Sequence, residues 1–330
     1  MKSIVTGGAG FIGSNLVDEL VLKGHKVIIL DNFNTGRISN LKHHKKNKNV
    51  KIFNVDISKN KKLNKYFKKV DYVFHLAGLA DIVPSIEDPE KYFKSNVVGT
   101  FNVLMASRKT KIKKFIYAAS ASCYGIPKKF PTSEKSEINL MYPYAFTKWQ
   151  AEEIIMHWVK IYKFPAISLR FFNTYGPRSR TSGAYGAVFG VFMAQKLKKK
   201  PLTVVGNGKQ TRDFIHVKDL VEVIIKAAIS KKIGKIYNVG GGKEISVSKI
   251  ANLIGGKRVY IPKRPGEPDR SLANISKIKQ DLKWRPKIKI EDGIKDLSEK
   301  IEYWKDAPVW TPKKIKNATK IWFKLLRKNQ

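Results

Sequence analysis

The chain is poor in cysteine and in acids. Cys123 is its one cysteine, so no intrachain disulfide can staple the fold, and the composition fits a reducing compartment. Acidic residues number 26 against 65 lysines and arginines. No stretch of about 18 consecutive apolar residues occurs, which argues against a membrane-spanning helix. Met1-Lys-Ser runs directly into Ile-Val-Thr-Gly, which reads as a short buried strand rather than the apolar core of a signal peptide. A soluble, cytoplasmic protein is expected. Zinc-ligand spacing, a helix-turn-helix signature and an aromatic-basic single-strand platform are also missing, so neither a metal nor a nucleic acid is expected as a ligand.

At 330 residues and 42% hydrophobic, the chain can bury a core large enough for one main domain and a smaller lobe. Its formal charge is +39. The lysines are dispersed, in Lys42-His-His-Lys-Lys-Asn-Lys48, between Lys59 and Lys69, and from Lys196 to Lys200. Two readings stay open: a solvated lysine-rich surface, and attraction of an anionic partner.

Ile4-Val5 reads as a strand entering a glycine turn, Phe11 to Leu22 as the helix behind it, and Lys26 to Leu30 as a second strand ending at Asp31. Further strands are expected at 50–55, 72–76, 115–119 and 166–171, with helices at 91–107 and 142–162. In the first of these helices Phe93, Val97, Phe101 and Leu104 are spaced for one buried face. Such alternation specifies an α/β fold: a doubly wound, mostly parallel Rossmann sheet with a smaller C-terminal substrate-binding lobe. After Phe172, glycine, proline and arginine become frequent, at Gly176-Pro-Arg178, Gly183, Gly186, Gly206, Gly208, Arg212 and Arg264-Pro-Gly266. The expected division is 1–172 for a dinucleotide-binding domain that also carries the catalytic groups, and 173–305 for the substrate lobe. Returning sheet elements such as Ile236 to Val239 interleave with that lobe. Residues 306–330 form a basic tail with Ile315, Ile321, Trp322, Phe323, Leu325 and Leu326 among lysines. Three docking surfaces are open to it: the domain itself, a partner, or anionic membrane.

Gly7, Gly10 and Gly13 open the first strand-helix-strand unit. There they permit a tight turn, approach of backbone to a pyrophosphate, and close helix–sheet packing. The helix N-terminus at Phe11 and Ile12 then faces the diphosphate. No Gly-Lys-Ser/Thr follows, so this is not the phosphate loop of a nucleotide triphosphatase. Asp31, 18 residues beyond Gly13, suits the ribose hydroxyls of NAD and repels a 2′-phosphate. Asp56-Ile57 at the end of the third strand reads either as an adenine contact or as an ordinary strand-end cap.

Tyr144 and Lys148 lie four apart, on one helix face. A neighbouring ammonium and a positive nicotinamide both favour the phenolate, lowering a pKa that is otherwise near 10. Ser120 at a strand end shares the substrate hydroxyl with Tyr144 and polarises the developing carbonyl. Arg178, Arg212 and Arg264 offer rigid donor forks for a substrate diphosphate, with solvated surface arginine as the alternative. Asn173 can donate to the same phosphates.

Over roughly residues 1 to 305 these motifs closely resemble the extended short-chain dehydrogenase/reductase family, in its nucleotide-sugar 4-epimerase branch. Gly7-x-x-Gly10-x-x-Gly13 is similar to its cofactor loop and Asp31-Asn32-Phe-Asn-Thr-Gly36 to its adenosine-ribose segment. His75-Leu-Ala77-Gly78 resembles its nicotinamide-side loop, and Asn96 falls at its cofactor-side asparagine. Ser120-Ala-Ser122-Cys-Tyr124-Gly125 matches the segment of the catalytic serine, with Ser122 near the sugar. Arg170-Phe-Phe-Asn173-Thr-Tyr-Gly-Pro177, the segment around Arg212, and Arg264-Pro-Gly-Glu267 match substrate contacts. The resemblance implies removal of hydride from sugar C4 to tightly held NAD. A 4-keto sugar then turns its other face and receives the hydride back. It also implies a UDP-sugar substrate and a homodimer.

Two departures bear on the sugar. Ser271 is small where glucose/galactose enzymes are bulky, which implies UDP-N-acetylglucosamine/UDP-N-acetylgalactosamine, with UDP-glucose/UDP-galactose also accommodated. Ala80 replaces a lysine and Asp81 adds an acid, which weighs against an anionic sugar. The alternatives are a UDP-glucuronic acid 4-epimerase, a UDP-glucuronate decarboxylase, and a non-catalytic binding protein for nucleotide sugars or anionic partners. The Asp-Glu pair of 4,6-dehydratases and the glutamate of decarboxylases are both missing after Ser120.

Overall fold

The structure, a computed structural model, describes residues 1–59, 62–179 and 188–326. Gly183, Gly186 and the last four residues of the tail lie outside these. In chain order the strands are β1 (Lys2–Thr6), β2 (Lys26–Asp31), β3 (Val50–Asn54), β4 (Tyr72–His75), β5 (Lys114–Ser120), β6 (Ala166–Phe171), β7 (Asn173–Tyr175), β8 (Leu202–Val205), β9 (Thr211–His216), β10 (Lys235–Val239), β11 (Glu244–Ser246) and β12 (Arg258–Ile261). Seven of them form one parallel sheet in the order β10-β6-β5-β4-β1-β2-β3. The reversal of direction at β1/β4 is the topological switch point where such sheets bind ligands.

Most of the central strands are short apolar runs buried on both faces, as parallel strands covered by helices must be. Alternation divides their side chains between two cores. Val5, Val27 and Ile29 join Leu16 and Leu20 of the Phe11–Leu22 helix, while Ile4, Ile28 and Leu30 join Val103, Leu104 and Ile155 on the opposite face. The Phe11–Leu22 helix sits very close to the sheet because position 13 has no side chain: a Cβ there would run into the Gly7 carbonyl oxygen. At φ +71, Gly7 itself passes so near β4 that a Cβ would lie 2.7 Å from Ala77 N.

The smaller lobe holds a third core, with Tyr175, Phe189, Met193, Val204 and Trp304. Two small sheets frame it, β11-β9-β7 and β12-β8. The chain leaves the main sheet after β6 and returns to it through β10, which pairs with β6.

One expectation is corrected, and one open choice is decided for the described residues of the tail. The helix expected at 91–107 is three pieces: Pro89–Phe93, a π-helical turn over Lys94–Val98, and Gly99–Arg108. The wide turn changes the phase of the apolar stripe. Val97 and Leu104 are buried as expected, but Phe93 and Phe101 face outward at 41% and 44% exposure. The tail docks on the domain itself, through helices Pro312–Ala318 and Lys320–Leu326 that bury Ile315 and Trp322.

Beneath the sheet's C-terminal edge, Glu152 of the Pro143–Tyr162 helix meets Arg170 of β6, and the two are 1% and 3% exposed. Arg170 Nε donates to Glu152 Oε1 at 3.0 Å, and Ser168 Oγ donates to Oε2 at 2.6 Å. Arg170 Nη1 also donates to the Tyr124 hydroxyl at 2.8 Å. Removing one partner strands the other's charge in a dry setting. Glu152→Ala is therefore expected to lower unfolding free energy by about 3–5 kcal/mol, read from urea denaturation.

Candidate functional site

The C-terminal ends of β1 to β5 open onto two adjoining cavities. The larger, about 890 Å³, is walled by Gly7, Gly10, Phe11, Ile12, Gly13, Asp31, Asn32, Asp56, Ile57, Ala77 and Asp81. The smaller, about 450 Å³, is walled by Ser120, Tyr144, Lys148, Asn173, Arg212, Arg264 and Glu267. Phe11, Ile12, Leu76 and Gly78 belong to both walls.

The larger cavity fits a dinucleotide. Gly10, the cap residue of the Phe11–Leu22 helix, supplies no side-chain cap. The first helical N–H groups are therefore left for an anion. Asp31 Oδ2 accepts from Ala9 N at 2.9 Å and Oδ1 from Phe33 N at 2.8 Å, so the acid also shapes the loop it serves. Burial raises its pKa, against the pull of those two backbone donors. Asp56 caps its strand end, accepting from Ser58 N at 2.9 Å and Ser58 Oγ at 2.7 Å, and lines the cavity as well. The cap is formed, and the adenine contact stays a proposal for the cavity face of the same residue. When bound here, NAD supplies the hydride acceptor.

Asn96 is not among the residues lining either cavity. Its Oδ1 accepts from Leu79 N at 2.8 Å, and its Nδ2 donates to Leu79 O at 3.0 Å and Thr147 Oγ1 at 3.1 Å. It holds the 76–79 loop against the catalytic helix. Arg178 is in the dinucleotide cavity, away from the expected diphosphate arginines. Its Nη2 lies 2.7 Å from Asp18 Oδ2, while His43 and His44 both contact Asp18 Oδ1 at 2.7 Å. These three His and Asp groups converge as metal ligands would, but the carboxylate is already shared by two imidazoles and a guanidinium.

Ser120, Tyr144 and Lys148 do meet. Ser120 ends β5, while Tyr144 and Lys148 share the first turns of the Pro143–Tyr162 helix. The Tyr144 ring stacks on Tyr142 at 6.3 Å and meets the Tyr92 edge at 6.5 Å. Lys148 is 7% exposed, with Nζ 4.2 Å from the Tyr117 ring centroid. Burial pushes its pKa down to about 7, while Glu152 pulls it up.

The expected lowering of the Tyr144 pKa is not produced by these side chains. Burial raises it and Asp81 adds to the rise, with the Ser120 and Ser122 hydroxyls opposing. A phenol out of water resists ionisation more strongly than two hydroxyl dipoles can offset. A positive nicotinamide, when bound, would favour the phenolate.

In the smaller cavity Glu267 stands between the two arginines, with Arg264 Nη1 at 3.0 Å and Arg212 Nη2 at 3.7 Å. Asn173 Nδ2 donates to Asp213 O at 3.4 Å. Ser122 Oγ is buried and faces the Tyr144 hydroxyl. Ser271 is not among the residues lining either cavity. Sequence reasoning missed the relay behind the site: Thr6 Oγ1 to His75 Nδ1 at 2.7 Å, then His75 Nε2 to Thr100 Oγ1 at 2.8 Å. It also missed Glu152, although Tyr144, Lys148 and Glu152 repeat at four-residue spacing, a signal that was available.

Lys148 carries a stability consequence. Its native pKa of about 7 is below the ordinary 10.5. Between those values the unfolded chain binds more protons, so native stability rises with pH. Lys148→Met should raise the thermal midpoint most at or below pH 7, with the gain fading above it, while turnover is lost. Thermal melts from pH 6 to 9.5 check this.

The family model for GDP-mannose 4,6 dehydratase matches residues 4–297. UDP-glucose 4-epimerase of Mycolicibacterium smegmatis is 33% identical over 305 residues, covering 89% of this chain and 96% of that protein. UDP-glucuronic acid decarboxylase 4 of Arabidopsis thaliana is 34% identical over 316 residues, covering 91% and 69%. Among solved structures, UDP-N-acetylglucosamine 4-epimerase from Methanobrevibacter ruminantium, in complex with UDP-N-acetylmuramic acid, superposes with TM-score 0.86 at 31% identity, covering 92% and 97%. UDP-glucuronic acid 4-epimerase from Bacillus cereus, with UDP-glucuronic acid and NAD, superposes with TM-score 0.85 at 31% identity, covering 92% and 99%. With the glycine loop, the acid of β2 and the Ser-Tyr-Lys group in one continuous site, the chain belongs to the extended short-chain dehydrogenase/reductase family, in its NAD-binding nucleotide-sugar epimerase and dehydratase branch.

Proposed function

We propose that the protein is an NAD-dependent UDP-hexose 4-epimerase that works through a 4-keto sugar and regenerates its own cofactor. The observation that carries this reading is one cavity wall shared by Ser120, Tyr144, Lys148, Arg212 and Arg264, beside the dinucleotide groove. Tyr144 takes the C4 hydroxyl proton, Ser120 hydrogen-bonds the same oxygen, and Lys148 holds the ribose and the local charge. The arginines hold the diphosphate while the keto sugar turns over. Diphosphate binding then replaces Glu267 as the arginines' counter-charge.

The sugar is less narrowly supported. The N-acetylhexosamine reading rests on the small Ser271, which is not among the residues lining the two cavities described, and on likeness to a UDP-N-acetylglucosamine 4-epimerase. UDP-glucuronate is the second reading. The names of several relatives favour it, and the buried Ser122 hydroxyl beside Tyr144 can donate to a carboxylate. Asp81 opposes a second acid. Loss of carbon dioxide is disfavoured because Ser122 stands where decarboxylases carry their glutamate.

The purified protein, without added NAD, is expected to convert at least one of UDP-glucose, UDP-N-acetylglucosamine and UDP-glucuronate to its C4 epimer, resolved by NMR. Formation of a pentose product would instead establish the decarboxylase. Turnover of none of the three, with NAD bound, would refute the reading. Tyr144→Phe should cut kcat at least about 100-fold and leave NAD content unchanged.

The protein is proposed to act as a homodimer through the outward face of its Gly99–Arg108 and Pro143–Tyr162 helices. Phe101, Met105, Phe146, Ile161 and Tyr162 are exposed there, with Arg108 3.8 Å over the Tyr162 ring. Phe101→Glu is expected to shift the light-scattering mass from dimer to monomer.

A further inference from the structure

The family match ends at residue 297, yet the chain beyond it reaches back into the site. Trp310 O accepts from Gln195 Nε2 at 2.7 Å, which anchors the start of the segment to the helix carrying Val188, Val191 and Phe192. Thr311 then caps the next helix through Lys314 N at 3.3 Å, with Pro312 at its first position. Ile315, Thr319 and Trp322 follow at spacings of four and three, one stripe along the two short helices. These three are 5%, 2% and 1% exposed, while Lys313, Lys314, Lys316, Lys320 and Lys324 face solvent.

The stripe lies against the substrate cavity. Ile315 is part of its wall. Trp322 Nε1 donates to Pro265 O at 2.7 Å, and the Arg264 guanidinium carbon is 5.7 Å from the Trp322 ring centroid. Leu326 lies beside Gly266, 3.6 Å from where a Cβ would stand. The Lys320–Leu326 helix also packs on the Ile82–Glu87 helix that follows Asp81. The segment thus bridges the dinucleotide-binding half and the arginine loop of the substrate half.

We infer that this C-terminal strap is a built part of the nucleotide-sugar site, in which Trp322 is a positioning residue that fixes Arg264 for the diphosphate. The inference rests on the diphosphate reading of Arg264 given above. Arginine carries much rotamer freedom, and freezing it before the ligand arrives lowers the cost of binding. The indole holds the guanidinium from its face and the loop from its Pro265 carbonyl, so that the edge of the fork, which Glu267 occupies, is presented to the phosphate oxygens that would replace it.

The test is a double-mutant cycle on the full chain, with UDP as the titrated probe by calorimetry. Trp322→Ala should weaken UDP about tenfold and raise KM with kcat unchanged. Trp322→Phe, which keeps a ring beneath Arg264, should recover most of the affinity. In an Arg264→Ala background, Trp322→Ala should have little further effect. Equal weakening in both backgrounds, or no weakening in either, overturns the inference. Where the alanine variant does not fold, Trp322→Leu keeps the apolar volume without the π face and enters the same cycle. Failure of the unaltered protein to bind UDP would instead overturn the functional reading, with NAD content reporting that the fold is intact.

Discussion

A carboxylate from the catalytic helix and a guanidinium from β6 meet below the site, both nearly sealed from water. Ion pairs of this kind gain little over apolar packing, but losing one partner costs several kcal/mol. The Glu152–Arg170 pair therefore acts as a geometric lock. It ties the third turn of the catalytic helix to β6, while Arg170 reaches on to Tyr124, just past Ser120. Tyr144 and Lys148 lie on the same helix, and Ser120 ends the strand beside β6. The relative position of all three is set by this contact. Glu152 is also the carboxylate that offsets the cost of burying Lys148.

Charge in the site is arranged for exchange. Arg212 and Arg264 face Glu267 inside the smaller cavity, a pairing that keeps two half-buried cations tolerable before a diphosphate supplies a stronger counter-charge. Lys148 is held near the pH at which it changes charge, while burial and Asp81 keep Tyr144 protonated.

The glycine loop, the acid of β2, and the Ser-Tyr-Lys group were legible because each depends on local spacing. A tight turn, a strand end and one helix face are all set by residues within a few positions of one another. The Phe11–Leu22 helix and β6 agree with their expected bounds for the same reason. Phe93 and Phe101 were misassigned because a π-helical turn alters the angular step, and no residue type marks that turn. Arg178 was grouped with Arg212 and Arg264 by donor chemistry alone, and Asn96 was placed by resemblance of a short segment; neither says where a side chain points once it is packed.

By itself, then, the sequence determined the doubly wound sheet, the dinucleotide turn and the strand end and helix face that carry Ser120, Tyr144 and Lys148, all governed by short-range periodicity and turn chemistry. Only the tertiary structure decided which arginines share a cavity, that Glu267 stands between them, that burial raises Tyr144 and lowers Lys148, and that a C-terminal strap closes on Arg264. Those outcomes depend on which groups distant in sequence exclude water together. Desolvation is a property of the assembled packing, and no window along the chain contains it.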